Sequence, residues 1–217
     1  MSRRSIIFRL IHKYTSDKDL RVRISLYVSF GINVSYAAFK LVSGLMYGAF
    51  WFDAFAVYYL LLTVIRYLLM CWSRNRQDLA TEFRRYRRCG ILLLMLNIAL
   101  SGVVVHMVAD NAGNAYGRIV IVTMVAYACY AVTVSVIDLI RYRKYERPLV
   151  SAVKAIRLTA ALVSLLSVAA SVWGGNGGNG RLGRIKIAWA GTGVCLLVLG
   201  MSICMILHAN RVLRKWR

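Results

Sequence analysis

A chain of 217 residues, 59% of them hydrophobic and only one of them proline, is too apolar for a water-soluble domain and has lipid as its solvent. It also carries 29 Lys and Arg against 8 Asp and Glu. On one soluble face that excess would point to nucleic acid, but here the basic residues lie between apolar runs, so no nucleic-acid partner is expected and attraction to anionic lipid headgroups is.

Residues 1–23 hold seven Lys and Arg. On a helical wheel Arg9, His12 and Lys13 share one arc, and Ile6, Ile7, Leu10, Ile11 and Tyr14 share the other. That pattern suits a helix lying in the membrane interface, and a basic cytoplasmic tail is the alternative. The first apolar run begins near Ile24 and continues past the length of a signal-peptide core without a small-x-small cleavage site, so it is expected to stay as a span.

Six spans are expected, over about 24–49, 50–72, 90–108, 119–140, 149–173 and 187–208, followed by a basic tail over 209–217. The second opens on Phe50, Trp51 and Phe52, rings suited to the headgroup boundary. Between the second and third lies Ser73–Cys89, with six Arg, and between the third and fourth an Asn- and Gly-containing loop ending at Arg118. A short basic turn from Arg141 to Pro148 precedes the fifth span, and Gly174–Gly180, almost without side chains, follows it.

Of the 29 basic residues, seven fall in 1–23, six in 73–89, four in 141–148 and four after 208, against four in the other loops and four within spans. Such a bias places both termini in the cytoplasm. Runs of this length, with no recurring ten-residue alternation, favour helices over a barrel. The expected fold class is therefore an all-α integral membrane protein, a six-transmembrane-helix bundle, in a bacterial cytoplasmic membrane. Cys71, Cys89, Cys129, Cys195 and Cys204 all lie in or beside spans without C-x-x-C spacing, and imply neither disulfides nor a zinc finger.

A charge at bilayer depth costs roughly 2.5 to 3.5 kcal/mol on insertion scales, so each one within a span needs a reason. Arg66, Lys154 and Arg157 lie near inner ends and are expected to snorkel, while Asp138 has neighbouring Arg residues to pair with. Lys40 and Asp53 stand at similar depths on either side of the turn near Gly48, and are expected to form an ion pair within about 4 Å, or alternatively to line a polar cavity. Asn33, Asn97 and His106 are further candidates for such a cavity, each also suited to an interhelical hydrogen bond. Gly44 and Gly48 form a G-x-x-x-G pattern that lets backbones approach, either to pack the second span or to form a homodimer.

Asn33, Lys40, Gly44, Gly48 and Ala49 stand at the spacings found in the first helix of the cation diffusion facilitators, and the first two spans resemble that family's transmembrane domain. The resemblance extends to six spans, both ends inside, and a fifth span entered through Pro148 and Ser151. What it implies is a cation transporter, with two metal ligands four residues apart on the second helix and another pair on the fifth. Those second-helix positions are Tyr58 and Leu62 here, and 149–173 contains no His, Asp, Glu or Cys. The family's cytoplasmic domain after the sixth span is not in this sequence. No metal and no cofactor are therefore expected.

Two functions follow as expectations: a cation-transporter-like protein with a lost or altered metal site, or a non-transporting membrane scaffold or regulatory subunit that binds lipid or a protein partner. An enzyme is not expected, because no nucleophile–base pair or H-E-x-x-H motif occurs in or beside the spans. The substrate is not legible.

Overall fold

The computed structural model describes residues 18–48, 50–74, 79–109, 117–141, 148–175 and 181–215, and among these every regular element is a helix. They are α1 (Lys18–Tyr47), α2 (Phe50–Arg74), α3 (Leu79–Ala109), α4 (Arg118–Arg141), α5 (Pro148–Gly175) and α6 (Arg181–Arg214). Each is long and apolar enough to cross a membrane, and the chain is an integral membrane protein built as a six-helix bundle.

The interfacial helix expected within residues 1–23 lies largely outside the described residues, since α1 begins at Lys18. Two other elements run beyond the spans expected for them. The basic segment before the third span is helical from Leu79 onward, because Tyr86 and Cys89 are buried one turn apart while Arg84, Arg87 and Arg88 stand in the open. Likewise α6 covers Arg181–Lys186 and continues through Arg211 to Arg214. The apolar run marks where hydrocarbon ends. It does not mark where the helix ends, because leucine, alanine, glutamate and arginine are all good helix formers.

Neighbouring helices pack as α1 on α2, α4 on α5 and α3 on α6. The bundle closes around α5, which also touches α2, α3 and α6. Within the apolar stretch of α5, 61% of residues are buried, against 22% for α6, so α5 is the centre and α6 the periphery. The core is filled by Phe52, Phe55, Leu62, Leu93, Met124 and Leu166. Leu45, Met46, Ile98, Ile119 and Trp189 point outward and are exposed, as side chains facing acyl chains must be.

The turn between α1 and α2 is made at Gly48, whose φ of 61° lies in the left-handed region that a residue with a Cβ enters at a cost. That turn brings the second helix back along the first almost at once. It sets the register of everything described next.

Candidate functional site

On α1 the residues Ser29, Asn33, Tyr36, Ala37, Lys40, Ser43 and Gly44 are buried and recur at helical spacing, while Leu41, Val42, Leu45 and Met46 are exposed. The polar face of this helix therefore turns inward and its apolar face outward, the reverse of a helix in a soluble protein. Each buried polar group has to be satisfied by protein.

Lys40 is fully enclosed, at 0% exposure. Its Nζ donates to Ser167 Oγ of α5 at 2.5 Å. Around it stand four rings, Phe52 at 4.2 Å to the centroid, Phe55 at 5.4 Å, Trp51 at 5.6 Å and Tyr36 at 5.8 Å, so that aromatic π faces supply much of the stabilisation that water would give an ammonium group. This corrects the expected ion pair. Lys40 points across the bundle to α5 and is not salt-bridged to Asp53.

Asp53 instead packs against Gly44. A Cβ built on Gly44 would run into the Asp53 carboxylate and come within 3.2 Å of its backbone nitrogen, so any larger residue requires Asp53 and the start of α2 to shift. One carboxylate oxygen of Asp53 is buried with no hydrogen-bond partner among the described residues. The first glycine of the G-x-x-x-G pattern thus seats α2 on α1 within one chain. Gly44→Ala is expected to cost about 1 to 3 kcal/mol by overpacking that contact, read as a lower midpoint in a denaturation titration in detergent; an unchanged midpoint would show that the hairpin relaxes around the methyl group.

Two turns from Lys40, Asn33 Oδ1 accepts a hydrogen bond from the Tyr127 hydroxyl of α4 at 2.5 Å. Tyr36 stacks flat on the Tyr127 ring, with centroids 3.6 Å apart, and Tyr59 meets both rings edge-on. His106 does not join this group. It lies exposed in the last turn of α3, because the inward positions there belong to Val104 and Met107. Asn97, by contrast, is buried, on α3.

Arg66 and Arg157 do not snorkel, and both are 5% exposed. Arg66 donates from Nη1 to the Ser29 carbonyl oxygen of α1 at 3.1 Å and also to the Ser29 hydroxyl. It stands eight residues, roughly 12 Å of helix, before the end of α2, and its guanidinium turns to α1 instead of running along its own helix toward that end. Arg157 of α5 is salt-bridged to Asp138 of α4, which supplies the Arg partner expected for that carboxylate. The polar side chains thus act as ties between helices.

At the two positions where the resembled family carries second-helix ligands, Tyr58 and Leu62 are both buried in the core. On α5, Thr159, Ser164 and Ser171 turn their hydroxyls back onto carbonyl oxygens of their own helix, Ser171 also lies 3.6 Å from Met124 Sδ of α4, and Ser167 accepts from Lys40 of α1. No group of three or more His, Cys, Asp or Glu residues comes together among the described residues.

Compared with protein-family models, curated proteins and solved structures, the chain matches none. Its own side chains carry the functional reading. Asn33, Lys40 and Asp53 are legible in the sequence as buried polar positions; Tyr127 and Ser167, the partners of Asn33 and Lys40, and the aromatic enclosure are not. A signal for the enclosure was present: Trp51, Phe52 and Phe55 follow directly after a helix whose only lysine past the first turn must be sheltered.

Proposed function

We propose that this chain is a non-transporting integral membrane protein, a scaffold or regulatory component that engages anionic lipid through its basic helix ends. The observation that carries this reading is the enclosure of Lys40. A conduction or carrier site must exchange ligands with water, whereas the ammonium group here is sealed by four rings and Ser167. The polar face of α1 is spent on holding helices together. The ends of α3 and α6 carry the exposed charge, with Arg84, Arg87, Arg211 and Arg214 on the side that the Lys and Arg bias assigns to the cytoplasm.

A second reading, a cation-transporter-like protein with an altered metal site, is favoured by the spacing of Asn33, Lys40, Gly44 and Gly48 and by the unpartnered buried oxygen of Asp53. One experiment separates the two. The full chain is reconstituted in liposomes with an internal zinc dye and an imposed pH gradient. The expected trace is that of protein-free liposomes, because neither Tyr58, Leu62 nor the hydroxyls of α5 replace the water of a zinc ion. Saturable uptake would overturn the non-transporting reading, and its loss on Asp53→Asn would assign the altered site.

The proposed orientation in a bacterial cytoplasmic membrane has its own test. Cysteines placed at Asn114 and Asn179, both outside the described residues, are expected to react with an impermeant thiol reagent applied to intact cells, in a background lacking the native cysteines. A cysteine at Asn75, likewise outside the described residues, is expected not to react. Labelling at Asn75 in sealed cells would invert the topology.

A further inference from the structure

At the ends of α3 and α6 lies a cleft of about 800 Å³ lined by Arg84 and Arg87 from one helix and Arg211 and Arg214 from the other, with Ala80, Leu207, Asn210 and Leu213 between them. Each arginine pair is three residues apart, so both members sit on the same side of their helix and face the other pair. Among the described residues no carboxylate lines the cleft and no salt bridge engages any of these four guanidinium groups. Arg87 is oriented by a hydrogen bond from Nη1 to Asn210 Oδ1 across the cleft at 3.2 Å.

Four like charges gathered between two packed helices repel one another, and the arrangement is relieved by an anion seated among them. Planar guanidinium forks match the oxygens of a phosphate in particular. The remaining lining says which phosphate. Leu207 is half exposed, and it continues along α6 as an exposed stripe through Ile203, Leu199 and Leu196. Leu199 and Leu196 line a second, shallower hollow of about 250 Å³ on the same α3–α6 seam, bordered also by Val104, Val105 and Cys195 and by the polar Asn97, Ser101 and Thr192. From Arg211 to Leu199 is roughly 18 Å of helix, close to the depth of one leaflet in a bilayer with a core of about 30 Å. The cationic cleft and the second hollow therefore lie along one seam, with the exposed Leu207, Ile203 and Leu199 of α6 running between them. A free phosphate would use only the cleft.

We propose that the α3–α6 seam is a binding site for an anionic phospholipid, with the headgroup phosphate held by Arg84, Arg87, Arg211 and Arg214 and one acyl chain lying along Leu207, Ile203, Leu199 and Leu196. This deepens the proposed function, since it gives the lipid-engaging face a defined site. It does not depend on whether the bundle transports.

The test uses the full chain purified in a zwitterionic detergent and titrated separately with phosphatidylglycerol and phosphatidylcholine, with retention followed by native mass spectrometry. Retention of phosphatidylglycerol is expected to be at least tenfold stronger than that of phosphatidylcholine. Arg84→Gln with Arg211→Gln is expected to reduce it by tenfold or more, and Leu207→Asn severalfold, while Arg88→Gln, exposed on the same helix outside the cleft, leaves it unchanged. Circular dichroism of each variant checks that the helices are intact. Equal retention of the two lipids, or full retention by the Arg84/Arg211 variant, would overturn the site. Displacement of the lipid by millimolar inorganic phosphate would overturn the lipid assignment. Zinc uptake by liposomes together with selective lipid retention would sink the non-transporting reading and leave this site standing; the reverse pair of results would do the opposite.

Discussion

Asp138→Asn is expected to destabilise the bundle by about 3 to 5 kcal/mol, the usual consequence of leaving one half of a buried ion pair behind. Asp138 and Arg157 are 6% and 5% exposed, and they tie α4 to α5. Arg66 also lies within electrostatic reach of Arg157, so loss of the carboxylate leaves their repulsion uncompensated by Asp138. Arg157→Met is expected to cost as much by exposing the carboxylate to an apolar wall. The double variant Asp138→Leu with Arg157→Met should recover most of the loss, since a well-packed apolar pair of similar volume often replaces a buried salt bridge at little cost. Denaturation of the purified protein in mixed micelles, followed by circular dichroism, measures all three. A shift below about 1 kcal/mol for Asp138→Asn would mean that water reaches the pair and that α4 and α5 are held by something else.

Replacements of Lys40 should divide by volume more than by charge. Lys40→Ala empties the space between Phe52, Phe55 and Trp51, and is expected to cost about 2 to 5 kcal/mol, as large-to-small changes in packed cores do. Lys40→Met keeps the length of the side chain among the same rings and removes an ammonium group that is expensive at this depth, so it should retain or exceed the parent stability. The Ser167 hydroxyl loses its donor in both variants and can turn to a carbonyl oxygen of its own helix, as Ser171 does. Thermal unfolding with a cysteine-reactive dye reads the order of the two. A Lys40→Met protein as unstable as Lys40→Ala would show that the charge, and not the packing, is what this position requires.

Hydropathy made the number of helices legible, because apolar runs of bilayer length have few other uses, but not where they end, since α3 and α6 continue well past their apolar runs. The register between helices was not legible. Lys40 and Asp53 share a depth, and depth alone suggested a pair, yet the inward direction of α1 carries Lys40 to Ser167, more than a hundred residues on, while Gly44 takes the carboxylate. Snorkelling failed as an expectation at Arg66 for a similar reason, since a serine on the neighbouring helix accepts its hydrogen bonds. Asp138 was readable because its depth and sign left few partners. His106 shows the limit from the other side: a polar residue in a span is as free to face outward as inward until the packing is known.

The inverted polarity of α1 bears on how the chain enters a membrane during synthesis. Its apolar stretch has a mean hydropathy of 1.2, the lowest of the six, and a lysine within that stretch adds a penalty of roughly 2.5 to 3.5 kcal/mol if it meets lipid alone. Three of the four rings that shelter this lysine belong to the first two turns of α2, across a single left-handed glycine. The two helices are therefore suited to leave the insertion machinery together, as a hairpin in which rings of α2 already cover the lysine before α5 brings Ser167 to it. A nascent chain arrested before Phe55 would hold an unsheltered ammonium group and slip back toward water, whereas one arrested beyond Arg74 would be anchored.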